Sequence, residues 1–380
     1  MDMKLSEEQR QLRDTARKYV ARESAIAFVR EMEKSELGFS RAMWEQMGEM
    51  GWLAMGVPEK YDGLGMGHVD LVVLAQELGR GICPTPFFTS AVLCADAIAR
   101  GGTEAQKSDL LPRMAAGELI VAFAYQEASR KFAPGEVTRA TATRDGDEYV
   151  LSGTKLFVEF AAGADKLLVT ARSSGQAPSA AGLSMFLVDR EAAGVHVTHM
   201  PTMARDRCYE VKLDEVRVPA SALLGELDHA SLILEAVLER GAVMHSAHAV
   251  GMAQWMHESA TAFAKERVQF GRPIGQMQII QQYLATLIIE IHGAETLTYY
   301  TAWTMDRQRP QRELVAKTKA FAGYMVEHTM DRGAQIFGGM GYIEETNETL
   351  YLRRGKQHQL AFGGMDHWED IIADEMLADA

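Results

Sequence analysis

After Asp228 the chain runs to its end with only two prolines, Pro273 and Pro310, and that scarcity constrains the fold more than any other feature. Proline inside a helix removes a hydrogen bond and clashes with the preceding turn, so its absence permits helices longer than the usual ~11–12 residues. Apolar spacing predicts helices over 229–268, 278–306 and 312–337, the last stopped by Gly338-Gly339. Such a set packs as a four-helix bundle.

The front of the chain is also helical. Ser6-Glu7-Glu8-Gln9 and Thr103-Glu104-Ala105-Gln106 have capping-box form, and Leu12, Ala16, Tyr19 and Val20 fall on one helical face. Similar signals occur at Ser40 with Trp44 and Met47, and from Asp70 to Leu78. After Gly117 the period changes to that of strands: Leu119–Tyr125, a hairpin through Asp145-Gly146-Asp147, then 166–171, 183–188, 195–198, 209–213 and 216–218. The expected fold is mainly α with an inserted β-domain: an N-terminal helical layer (1–117), an antiparallel β-barrel or sandwich (118–222) and a C-terminal four-helix bundle (223–380).

Composition removes whole classes of function. Lys plus Arg number 39 against 52 Asp plus Glu, a net charge of -13, which argues against nucleic-acid or anionic-membrane partners. Cys83, Cys94 and Cys208 form no CxxC pair, and the start Met1-Asp2-Met3-Lys4 is charged where a signal peptide is apolar, so the expected compartment is the cytoplasm. The pairs His196/His199 and His245/His248 lack thiols or carboxylates at metal spacing, and Gly63-Leu64-Gly65-Met66-Gly67 departs from phosphate-loop spacing; both read as structural, with no metal expected.

Leu232–Met244 is apolar almost all round and should be buried, so its charges need a reason. Glu235 and Glu239 are i,i+4 neighbours; mutual repulsion and burial would raise the pKa of the pair, as suits a base that abstracts a proton beside a carbonyl. An interhelical ion pair through Arg240 is the plainer alternative. Arg267 and Arg272 sit about a helix end, where they either complement its dipole or bind a diphosphate.

The β-insert between helical layers, the segment Glu266-Arg267-Val268-Gln269-Phe270-Gly271 and Gln335-Ile336-Phe337-Gly338-Gly339-Met340-Gly341-Tyr342 together resemble an acyl-CoA dehydrogenase. Pro58–Gly65, Gly102–Lys107 with Leu111-Pro112, and Val216–Pro219 with Leu224–Glu226 match family signatures in the expected order, over nearly the whole chain. The resemblance implies FAD between the β-domain of one subunit and the C-terminal helices of its dimer mate. It assigns Phe123, Tyr125 and Gln126 on a strand, with Phe157, Val158 and Glu159, to the isoalloxazine ring. Arg267, Gln269, Phe270, Gln278, Gln335, Gly338 and Gly339 are assigned to the pyrophosphate and adenosine. Such enzymes take a proton from Cα of an acyl-CoA, pass hydride from Cβ to the flavin, and deliver electrons to an electron-transfer flavoprotein.

The departures from the family are specific. Gly363 stands at the usual Glu base position, whereas Leu238-Glu239-Arg240 matches the site where a minority of the family keeps its base, which makes Glu239 the expected base and Arg240 the residue orienting it or the CoA chain. Gln126-Glu127-Ala128 and Phe132-Ala133-Pro134-Gly135 replace Thr-Glu-Pro and Gly-Ser-Asp, removing a hydroxyl donor to the flavin phosphate; Glu159 replaces a Ser or Thr near flavin N5. Glu77–Arg80, Pro84–Phe87 and Leu352-Arg353-Arg354 look like the subfamily acting on steroid side chains and other ring-bearing acyl-CoAs, some members of which are heterotetramers of paralogous subunits. A homotetramer or such a heterotetramer is expected. Two further readings stay open: a non-catalytic partner subunit, and a flavin monooxygenase or oxidase on the same fold.

Overall fold

The computed structural model describes residues 4–309 and 312–378; Met1-Asp2-Met3 and Pro310, used in the sequence reading, lie outside the described residues. In chain order the helices are α1 (Glu7–Glu23), α2 (Ile26–Met32), α3 (Arg41–Glu49), α4 (His68–Arg80), α5 (Ala95–Gly101), α6 (Glu104–Ala115), α7 (Pro134–Val137), α8 (Ser231–Glu266), α9 (Gln278–Met305), α10 (Arg312–Phe337), α11 (Asn347–Leu360) and α12 (Gly364–Leu377). The strands are β1 (Val121–Ala124), β2 (Thr141–Asp145), β3 (Glu148–Glu159), β4 (Lys166–Arg172), β5 (Leu183–Asp189), β6 (Val195–Met200), β7 (Cys208–Pro219), β8 (Leu223–Leu224), β9 (Val268–Gln269) and β10 (Arg272–Pro273). Both expected capping boxes form, Ser6 with Gln9 and Thr103 with Gln106. No helix among the described residues is long and apolar enough to cross a membrane.

Two compact units divide the chain: a helical unit of Met1–Arg30, His68–Cys83 and Ala242–Ala380, and a sheet unit of Glu31–Gly67 and Pro84–Gly241. Helix α8, 36 residues and therefore about 54 Å long, begins in the second and continues in the first. Within the helical unit α4 and α8 cross closely at two glycines. A Cβ at Gly251 would lie 1.8 Å from the Gln76 carbonyl oxygen and one at Gly79 would lie 2.1 Å from that of His248, so only hydrogen fits at either position. Beside this crossing Trp255 stacks on Tyr351, with ring centroids 3.7 Å apart, and the Tyr351 hydroxyl donates to the Arg80 carbonyl at 2.6 Å.

In the sheet unit the strand order is β6-β7-β3-β2-β4-β5-β8, with β1 alongside β4. Most pairs are antiparallel as expected, but β1–β4 and β2–β4 are parallel, and no closed barrel is found among the described residues. The other edge of β1 is covered from the π-helical segment Phe87–Cys94: the amides of Val121 and Phe123 donate to the Ser90 and Thr89 hydroxyls at 3.1 and 3.0 Å. The β2–β3 hairpin turns at Gly146 as expected. Segments 209–213 and 216–218, expected as separate strands, are one strand, β7; a bulge with Glu215 at φ 52° absorbs the break between them. All three cysteines are buried and in no disulfide, Cys83 in the helical unit and Cys94 and Cys208 in the sheet unit.

Candidate active site and cofactor face

In the sheet unit the first turns of α8 are less buried than the sequence suggested: Leu232 is 77% exposed, while Glu235 and Glu239 are partly buried. An amphipathic start of this kind covers only one side of a helix, and the apolar count alone could not show which. Arg240, 6% exposed, gives a hydrogen-bonded ion pair to Asp96 of α5, Nη1 to Oδ1 at 2.5 Å. Arg100 Nε takes the other Asp96 oxygen at 2.9 Å. The Asp96 carboxylate therefore fixes α8 to α5 and with it the direction in which the adjacent Glu239 leaves the helix.

The charge of Glu235 on these turns acts on Tyr125, the residue that follows the end of β1. The strand stops at Ala124, so Tyr125 and Gln126, expected on it, belong to the segment that follows. The Phe123 ring stacks on Tyr125, centroids 5.5 Å apart, and Phe132 packs edge-on against Tyr125 at 5.3 Å. Burial, then the nearby charges of Glu235 and Glu127, push the Tyr125 phenol well above its usual range, and its hydroxyl donates to the Phe132 carbonyl. Phe132 thus fills the loop in which the resemblance expected Gly-Ser-Asp.

The Gln126 carbonyl accepts from Leu156 at 2.8 Å, which brings the Tyr125-Gln126 segment against β3 at a second bulge. There the pairing jumps from Lys155↔Val211 to Val158↔Tyr209, and the extra residue Phe157 is held at φ 54° with 53% of its surface exposed. A bulky residue in the left-handed region is strained by roughly 1–3 kcal/mol, and such strain persists where surrounding structure over-determines it. Val158 is buried and Glu159 ends the strand opposite Cys208.

A buried ion pair that the sequence reading did not single out supports this bench. Lys155, 0% exposed, reaches Glu127 Oε1 at 2.6 Å, the Thr170 hydroxyl at 2.9 Å and the Tyr125 carbonyl at 3.3 Å. Glu127 also accepts from the amides of Arg139 and Ala140 at 2.9 and 3.0 Å. Burial lowers the Lys155 pKa, an effect the Glu127 charge partly offsets. The signal was available in principle: strand alternation puts Lys155 on the inward side with Tyr149 and Leu151.

The helical unit carries the other set of expected residues together. Strands β9 and β10 form a two-residue hairpin with Phe270 at φ 52° and Gly271 at φ 78°, a type I′ turn. Arg267, Gln269 and Phe270 on it are exposed, Phe270 to 91%. Ile274 below the hairpin joins Phe337, Ile336, Ala260 and Ala264 in one apolar cluster, with Phe263 and Phe337 rings 4.5 Å apart. That cluster also carries the end of α10, so Gln335, Gly338 and Gly339, with Gln278 at the start of α9, are exposed around the same core. A Cβ at Gly338 or Gly339 would meet nothing within 4 Å, leaving the backbone open to close approach.

Compared with known proteins, residues 6–118, 122–216 and 231–377 match the models of the acyl-CoA dehydrogenase N-terminal, middle and C-terminal domains. The chain is 30% identical over 382 residues to a probable acyl-CoA dehydrogenase, YngJ, of Bacillus subtilis, covering 99% of this chain and 100% of the relative. Among solved structures, a chain of the Tcur3481-Tcur3483 steroid ACAD superposes with a TM-score of 0.87 at 29% identity over 98% of both chains. A chain of the ChsE4-ChsE5 complex from Mycobacterium tuberculosis superposes with a TM-score of 0.90 at 25% identity over 100% of both.

Proposed function

The chain belongs to the acyl-CoA dehydrogenase family, oxidoreductases acting on CH–CH bonds, and from that premise we propose that it introduces a Cα–Cβ double bond into an acyl-CoA thioester with Glu239 as the base. The observation that carries this reading is the Arg240–Asp96–Arg100 clamp, which holds the Glu239 turn of α8 in one orientation. A base must be aimed before its pKa matters. Of the two roles expected for Arg240, orientation of the base is the one its burial supports.

The residues of the helical unit fit a dinucleotide. Phe270 is both strained and exposed, and the open Gly338-Gly339 backbone lies around the same apolar core as the guanidinium of Arg267. Arg267, Gln269, Phe270, Gln278, Gln335, Gly338 and Gly339 would hold the adenosine and diphosphate of FAD; Phe123, Tyr125, Gln126, Phe157, Val158 and Glu159 would border its ring. FAD supplies the acceptor for the Cβ hydride. Glu239 takes the Cα proton onto a carboxylate oxygen, and the Phe157 ring shields the reacting face from water. We further assign electrons to an electron-transfer flavoprotein, a cytoplasmic location, and a homotetramer or a heterotetramer with a paralogue.

The packing of Phe132 against Tyr125 favours a second reading, in which this chain is the partner subunit that completes a paralogue's site. Expression alone and with a paralogue, counting flavin per subunit, separates the two. Glu239→Gln tests the first: fold and flavin are retained while flavin bleaching by acyl-CoA slows about 10²–10⁴-fold. A variant that bleaches at the wild-type rate refutes Glu239 as base.

A further inference from the structure

Away from the residues assigned above, three helices of the helical unit bury a group of basic side chains. Lys319 of α10 is 1% exposed, and the hydrogen bond of its ammonium runs to the His358 carbonyl at 3.4 Å, long for a charged donor. It has no carboxylate partner among the described residues. His245 and His248 of α8 flank His358 of α11, with ring centroids 4.0 and 4.6 Å from it, and Phe362 stacks on His245 at 5.9 Å. Nδ1 of His248 and Nδ1 of His358 are buried and have no hydrogen-bond partner among the described residues.

After burial, the charges acting on His358 are those of His245, His248, Lys319 and Arg354, and Arg354 acts on His248 as well. Burial brings Lys319 down to about 8, which still leaves the ammonium form in excess at neutral pH. A buried ammonium with one weak bond is costly, and an unsatisfied buried imidazole nitrogen calls for an unseen water or ion. Water would satisfy the two nitrogens but not the charge. A small anion satisfies both, since each imidazole can turn a donor N–H toward it by choice of tautomer.

We propose that Lys319, His248 and His358 form a buried site for one monoanion of halide or carboxylate size, a site distinct from the dinucleotide face. The anion is either free in solution or the carboxylate end of an acyl group, and the chemistry of recognition is the same for both. The acyl source rests on the acyl-CoA reading above; the free-ion source does not, so failure of one is distinguishable from failure of the other.

The probe is bromide, exchanged for gluconate, which is too bulky for the cluster, at constant ionic strength. Wild-type protein is expected to melt about 5–10 °C higher at a hundredfold excess over the dissociation constant, with saturation at one site and an anomalous scattering peak beside Lys319. Lys319→Met keeps the volume and removes the charge, so it should abolish both the peak and the dependence. Displacement of the bromide by glutaryl-CoA, but not by butyryl-CoA, assigns the site to an acyl carboxylate; no displacement by either assigns it to a free ion. The proposal is overturned if wild-type melting ignores bromide, no peak appears, and Lys319→Met is the more stable protein in both salts, which is the behaviour of an unpaired buried charge.

Discussion

Lys155→Met should unfold the sheet unit at a much lower temperature although Lys155 itself is assigned no part in the chemistry. Methionine replaces the aliphatic stem, so the transfer and cavity contributions nearly cancel, and what remains is electrostatic. Glu127 keeps its two backbone donors, Arg139 and Ala140, but loses the ammonium at 2.6 Å, and it is itself buried. Breaking a buried pair from one side costs about 3–5 kcal/mol. For a unit of roughly 200 residues each kcal/mol moves the midpoint by ~2–4 °C, so the expected fall is about 6–20 °C. Glu127→Gln added to Lys155→Met removes the orphaned charge and should recover more than half of it, which a double-mutant cycle by scanning calorimetry measures. Flavin content should fall with the single variant, because Lys155 also holds the Tyr125 carbonyl beside Gln126. A Lys155→Met protein melting within about 2 °C of wild type would refute the argument that the pair is buried and coupled.

Phe270→Asn suits the first position of a type I′ turn, so it should raise the stability of the helical unit slightly while lowering FAD affinity; melting and flavin titration must move in opposite directions, and parallel losses would show Phe270 to be structural. In gluconate buffer, acid should destabilise the helical unit. Burial and then Arg354 depress His248 to about 4 against an ordinary 6.5, so between those values the unfolded chain binds a proton that the folded one refuses, and stability falls as pH falls. That window is worth about 3 kcal/mol for His248, and His245 and His358 shift in the same direction. The same sign governs Lys319 at high pH: stability rises from about 8 toward the unfolded value of 10.5, as urea titrations across both ranges would record.

Local rules carried much of the fold. Proline scarcity and glycine stops located α8, α9 and α10 to within two residues, because helix ends are set by groups within a turn of them. The capping boxes and the Gly146 hairpin are local in the same sense. What escaped the sequence is set by distant neighbours. The continuity of β7 depends on a bulge opposite β3, and the shortness of β1 reflects pairing on one edge with β4 and capping on the other by Thr89 and Ser90. At the candidate site the residues proposed to hold a dinucleotide came from resemblance, and their gathering on one apolar cluster was legible only in three dimensions. Asp96 lies 144 positions before Arg240, and no periodicity links them.

The three buried thiols give the molecule a built-in pair of clocks. Burial raises the Cys83 thiol to about 12 and that of Cys94 well above its ordinary range, while the Cys208 thiol donates to Asp206 at 2.9 Å. Thiolate is the reactive form, so alkylation at neutral pH waits for the surrounding structure to open. With Cys83 in the helical unit and Cys94 and Cys208 in the sheet unit, the order in which a mild alkylating reagent marks them times the breathing of each unit without any engineered label.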